Sequence, residues 1–102
     1  MVKREIIWTA TAVKQRRQIL EYWVFHNSSS QYSKKLVKAI NIRTSILAKH
    51  SEIGQQTSVK GIREAAMGNF SLYYKILDNQ IVIMAFWDNR QDPNTVLTLL
   101  RK

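Results

Sequence analysis

The residues with the strongest chemical potential lie in one stretch, Trp87-Asp88-Asn89-Arg90-Gln91-Asp92-Pro93, directly after an apolar run. A guanidinium here could make a two-point contact to an anion. The indole of Trp87 could stack on a base. Asp88 could orient Arg90 or act as a base. The same residues also read as a structural corner, with Trp87 packed under the C-terminal tail, Asp88 capping a turn and Arg90 paired with Asp92. Lys60, Arg63 and Lys75 are the cations that could join Arg90 on one sheet edge, although Arg63 also suits a structural pairing with Glu64. Tyr73 could stack or donate to a target, and tyrosine in a strand also packs well. His26 and His50, the only histidines, are too far apart for a zinc motif, and the chain has no cysteine. Each sits where a helix should end, and the helix dipole favours histidine there. No metal or other cofactor is expected.

Sixteen Lys and Arg against seven Asp and Glu give a net charge of +9. Such a field attracts polyanions and speeds their encounter. Nucleic acid, a ribonucleoprotein and an acidic protein are the partner classes it suits. The 102 residues suit a single domain, 1–102, with one core. No apolar run approaches the ~20 residues of a membrane span. Lys3 and Arg4 are not followed by the apolar stretch of a signal peptide, so a cytoplasmic, membrane-free protein is expected.

Positioning these residues requires a set of elements that the periodicity supplies. Glu5 to Trp8 reads as a first strand, and Thr9 or Thr11 can cap the helix after it. Val13, Ile19, Leu20, Trp23 and Val24 recur at helical spacing. Asn27 to Ser30 breaks that helix and starts a second, whose stripe is Tyr32, Leu36, Ala39, Ile40 and Leu47. Lys34, Lys35, Lys38 and Arg43 ride on its polar faces, and it ends near His50. The period then changes. Lys60 to Ala66 can form a strand, joined through Met67-Gly68-Asn69 to the alternating strand Phe70 to Leu77. Asp78-Asn79 makes a tight turn, and Gln80 to Trp87 is apolar enough for a central strand. Val96, Leu97, Leu99 and Leu100 form a short amphipathic tail. The expected fold is therefore α+β, in the order β-α-α-β-β-β. A helical hairpin packs on one face of a four-stranded, mainly antiparallel sheet. The other face is expected to stay open for a ligand, with Ser71, Tyr73 and Lys75 on it.

That order resembles the RelE/ParE superfamily of toxins from bacterial toxin–antitoxin pairs. The resemblance rests on "IIWTATAVKQRRQILEYW", "IREAAMGNFSLYYKI" and "IVIMAFWDNRQDP", which together span almost the whole chain. It implies a cognate antitoxin, one that is expected to use the groove of the helical hairpin and the sheet edge. It also implies one of two targets: RelE-like members cut mRNA on the ribosome, and ParE-like members poison DNA gyrase. Arg90 falls where the nucleases place a basic residue after the last core strand, so the resemblance implies that it could clamp a phosphate or stabilise negative charge developing on phosphorus. Other positions depart from the nuclease pattern. Ser71 stands at the usual strand arginine, Ala65 and Ala66 stand where bases often sit, and neither Tyr nor His follows Trp87. The resemblance therefore points to a ParE-like, growth-inhibiting toxin. The alternatives are a RelE-type ribonuclease with a rearranged site and a non-toxic binding protein of the same fold.

Overall fold

A computed structural model describes residues 3–101. Its elements run β1 Glu5–Trp8, α1 Ala10–Asn27, α2 Gln31–Lys49, β2 Gln55–Gln56, β3 Arg63–Met67, β4 Phe70–Leu77, β5 Gln80–Asp88 and α3 Pro93–Leu100. The sheet order is β1-β5-β4-β3-β2. β1 lies parallel to β5 and every other pair is antiparallel. The α+β architecture with its helical hairpin is as expected. The sheet has five strands, because Gln55 and Gln56 pair with Glu64 and Arg63. Two adjacent glutamines carry no alternation that would mark them as a strand.

Local chemistry sets the helix ends. The Thr9 hydroxyl accepts from the Ala12 backbone N–H at 3.1 Å and starts α1. Ser28 ends it in the left-handed region, φ 51°, with the Ser29 N–H returning to the Val24 carbonyl. The short link makes α1 and α2 antiparallel neighbours, and the Ser33 hydroxyl ties them by donating to the Leu20 carbonyl at 2.7 Å. The buried stripe of α2 is Ser33, Leu36, Ile40, Thr44, Leu47 and Ala48. Ala39 and Val24, expected on buried faces, are exposed, since each lies off the line of closest helix approach.

A bulge in the β4–β5 hairpin decides which way the functional end points. Tyr73 pairs with Ala85, but Tyr74 pairs with Ile83, which leaves Met84 as the extra residue. Ile81 and Ile83 therefore face the helices, Met84 and Ala85 face away, and Phe86 turns back to stack on Phe70 at 5.4 Å. β1 stops opposite Ile83, so the last five of the nine residues of β5 have a free edge. α1 covers it. The Gln15 side-chain oxygen accepts the Phe86 N–H at 2.9 Å.

The second sheet face is not open. Asp92 caps α3 by accepting from the Asn94 N–H, and Pro93 occupies the first turn. The helix lays Val96, Leu97 and Leu100 over Ile62, Tyr73 and Ala85. Tyr73 is only 1% exposed and Ser71 is 0%. The expected ligand face is a second small core, because Val96, Leu97 and Leu100 remove apolar area from water there, while Leu99 points out to solvent. No helix among the described residues is long and apolar enough to cross a membrane.

Candidate functional site

Where α1 crosses the free edge of β5, the two elements leave a cleft of about 550 Å³. Gln15, Gln18, Ile19, Tyr22 and Trp23 reach it from α1. Their spacing of three and four residues puts them on one helix face. Phe86, Trp87 and Asp88 reach it from the end of β5, with Arg90 and Gln91 from the turn beyond.

The corner at the end of β5 is built around Asp88. Its carboxylate accepts from the Arg90 backbone N–H at 3.0 Å and from Arg90 Nε at 3.0 Å, and also receives Arg90 Nη2. The expected partner, Asp92, is instead engaged in capping α3. The Arg90 guanidinium lies over the Trp23 ring, 4.8 Å from its centroid, so α1 and the corner are joined by a cation–π contact. The hydrogen bonds from Arg90 hold the Asp88 carboxyl below the usual carboxylate range, and Asp88 in turn raises the Arg90 guanidinium. Both groups stay ionised and cancel each other. Trp23 also packs against Tyr22 at 5.2 Å and Tyr32 at 5.0 Å. The Nε1 atoms of Trp23 and Trp87 are buried and have no hydrogen-bond partner among the described residues.

The remaining residues of sequence interest lie elsewhere. Arg63 pairs with Tyr74, and Asp88 with Phe70. Four residues of β4 therefore separate Arg63 from the corner, roughly 13 Å along the strand. Arg63 donates to the carbonyls of Gly54 (2.7 Å) and Glu52 (3.3 Å), so it fastens the loop after α2 rather than pairing with Glu64. Lys75 is half-buried opposite Val82, near the far end of the hairpin, and Lys60 is exposed in the turn before β3. The four cations do not meet on one edge. His26 and His50 are at the ends of α1 and α2. Among the described residues no three His, Asp or Glu side chains group as metal ligands would.

Beneath α3, the Ser71 hydroxyl donates to Glu64 Oε2 at 2.6 Å and accepts from Asn89 Nδ2 at 2.9 Å. Burial, reinforced by the Glu64 carboxylate, pushes the Tyr73 hydroxyl up to about 12. A tyrosine pKa raised above its ordinary ~10 contributes stability that is complete below pH ~10 and is lost as pH rises towards 12. Chemical denaturation across that range should show a loss of at most ~2–3 kcal/mol. Tyr73→Phe should flatten this part of the profile, and an unchanged alkaline slope in that variant would show that other groups produce it.

Sequence reasoning singled out Trp87, Asp88 and Arg90 but missed Gln15, Gln18, Tyr22 and Trp23 as their neighbours. The available signal was two glutamines and a tyrosine in line with the apolar stripe of α1, where solvent alone does not require them.

Residues 6–93 match the family model described as the ParE toxin of the type II toxin–antitoxin system parDE. No curated protein matches the chain by sequence. Its fold is similar to that of the chromosomal ParDE toxin–antitoxin system from P. aeruginosa, with a TM-score of 0.73 at 18% identity, covering 86% of this chain and 98% of that one. It is also similar to the RelBE2 toxin–antitoxin complex from Mycobacterium tuberculosis, at 0.60 and 18%, covering 85% and 99%. For the E. coli DinJ-YafQ toxin–antitoxin complex the values are 0.55 and 14%, covering 87% and 96%. Identities this low bear on the fold alone.

Proposed function

Because this chain belongs to the ParE toxin family of type II toxin–antitoxin systems, we propose that it arrests growth by poisoning DNA gyrase until a cognate antitoxin neutralises it. The observation that carries the choice of target is Ser71. At the strand position where the nuclease branch keeps an arginine, Ser71 is fully buried and held by Glu64 and Asn89. It can neither neutralise a phosphate nor exchange a proton with solvent. α3 packs over the neighbouring Tyr73 and Ala85, and Ser71 itself has no surface that RNA could touch.

The antitoxin reading is supported by α2. Between Glu21 and Glu52 the chain has no acidic residue, and Lys34, Lys35, Lys38, Arg43 and Lys49 are all on this helix. Their charges have no ion-pair partner among the described residues. Val37 and Ile42 lie exposed between them, and a groove floored by Leu36, Met67 and Phe70 runs beside them. An acidic amphipathic segment would neutralise the cations and cover the apolar stripe together. Three structurally similar proteins come from toxin–antitoxin systems, which agrees with such a partner.

Inducing this chain alone should stop growth, with gyrase–DNA cleavage complexes accumulating and a DNA-damage response following. Co-expression with the antitoxin should restore growth. Codon-positioned cuts in translated messages would return the assignment to the RelE-type ribonuclease. Normal growth with abundant folded protein would leave only a non-toxic binding protein.

A further inference from the structure

The cleft between α1 and β5 has a combination of groups that neither the fold nor the proposed target explains. We propose that it binds one unstacked nucleobase of a single-stranded nucleic acid. The base would stack on the aromatic wall, and side-chain amides would read its edge.

Charge decides what kind of group can enter. Arg90 is the one cation lining the cleft, and Asp88 already holds it in a two-point contact. A phosphate or carboxylate entering here would have to compete with an internal carboxylate at close range. The interior therefore suits a neutral ligand. Tyr22, about half exposed and stacked on His26 with one face, supplies the main ring surface, beside Trp87 and a Trp23 ring already covered on one face by Arg90; every base has a π-face to match it. Gln15, Gln18 and Gln91 supply amides, each able to donate and accept as a base edge requires. One amide oxygen, that of Gln15, is already used by Phe86, which fixes that side chain in place.

An apolar side chain from a protein partner would also suit the rings. It would bury the amides without hydrogen bonds, however, and that loss opposes binding. A base satisfies both surfaces. The volume of about 550 Å³ lies in the range of small-molecule sites. It cannot admit a base pair still stacked in a duplex, so the strand must be single. Cations for its phosphates lie outside the cleft: Lys14 and Arg17 are exposed on α1, beside Gln15 and Gln18. This assignment goes beyond the proposed function and holds whether the target is gyrase on DNA or the ribosome on mRNA.

Two of the three tryptophans line the cleft, so stacking reports itself as quenched fluorescence. The full-length chain is titrated with oligothymidylate of about eight nucleotides and with its RNA equivalent, oligouridylate, within the site sizes of single-strand binders. About 0.2 M salt suppresses binding by charge alone. Inorganic polyphosphate, an abasic strand and a duplex of the same length are the controls. Saturable quenching by DNA, RNA or both is expected, at least about tenfold tighter than for the abasic strand. Tyr22→Ala and Gln18→Ala should each weaken it by up to about tenfold while the melting curve stays in place. The DNA and RNA arms show whether the 2′-hydroxyl contributes. Equal binding of polyphosphate or the abasic strand would overturn the proposal, as would equal binding of the duplex. So would unchanged affinity in the folded Tyr22→Ala variant. Quenching by an acidic amphipathic peptide but by no oligonucleotide would assign the cleft to a protein instead.

Discussion

Gly54→Ala should destabilise the protein by about 4 kcal/mol, more than most single substitutions on its surface. Gly54 is buried where the loop after α2 returns to the sheet. A Cβ built there would lie 2.5 Å from the Tyr74 hydroxyl, 2.8 Å from its Cε1 and 2.9 Å from the Glu64 carbonyl oxygen. None of these can retreat easily. Tyr74 is fully buried, and its hydroxyl donates to the Ser51 carbonyl at 2.7 Å while accepting from the Gly54 N–H at 3.0 Å. Overpacking of this kind costs ~1–3 kcal/mol and occasionally more. Displacing the hydroxyl adds the cost of leaving buried backbone groups unpaired, ~1–3 kcal/mol. Tyr74→Phe should cost about 2 kcal/mol by the second route alone. In the double variant the methyl no longer meets the hydroxyl, its nearest neighbour, although the ring carbon and the Glu64 carbonyl remain, so the two losses should fall short of their sum. Denaturant midpoints of the four proteins test this. Strict additivity would mean that the methyl clashes with the ring carbon and the backbone and not with the hydroxyl.

The same locus shows what the sequence could and could not express. Tyr74 was legible as a core residue, because Phe70, Leu72 and Tyr74 alternate and one face of β4 must be buried. Nothing in that alternation says that its hydroxyl closes a loop twenty residues upstream, or that Arg63 fastens the same loop through two carbonyls. Contacts of that length depend on topology. The tail is a similar case. Val96, Leu97, Leu99 and Leu100 announced an amphipathic segment, but not which surface it would cover. Covering the second sheet face turned Tyr73 from an expected target contact into a core residue. At the corner, the types and spacing of Trp87, Asp88 and Arg90 singled out residues that the fold gathers along one cleft. The α1 half escaped notice because Tyr22 and Trp23 also read as ordinary core, and a periodic pattern cannot distinguish a buried face from one that lines a cleft. Even the pairing within the corner was ambiguous. Arg90 has acids two residues away on either side, and Asp92 is withdrawn only because α3 needs a cap.

Arg90→Ala is expected to leave the melting temperature nearly unchanged and yet abolish toxicity. The side chain is more than half exposed, and its only ion pair among the described residues is local, with Asp88 two residues away. A pair this exposed contributes little to folding. Its loss at the cleft is much larger. Without the guanidinium the Asp88 carboxylate has no counter-charge, so the mouth of a neutral cleft becomes anionic and repels a polyanionic target. The stack on Trp23 is lost as well, and with it the wall that joins the corner to α1. Arg90→Lys should recover little, because an ammonium cannot make the two-point contact or lie flat on an indole. Asp88→Asn combined with Arg90→Ala removes both charges and should restore part of the activity if neutrality is what the cleft requires. Trp87→Ala behaves in the opposite way. The indole packs against the cluster around Val96, so truncation should cost ~3 kcal/mol or more and lose toxicity through lost fold. Measuring melting and growth inhibition on the same purified variants separates the two mechanisms. A folded Arg90→Ala protein that remains fully toxic would reduce the corner to architecture and place the target contact elsewhere on the molecule.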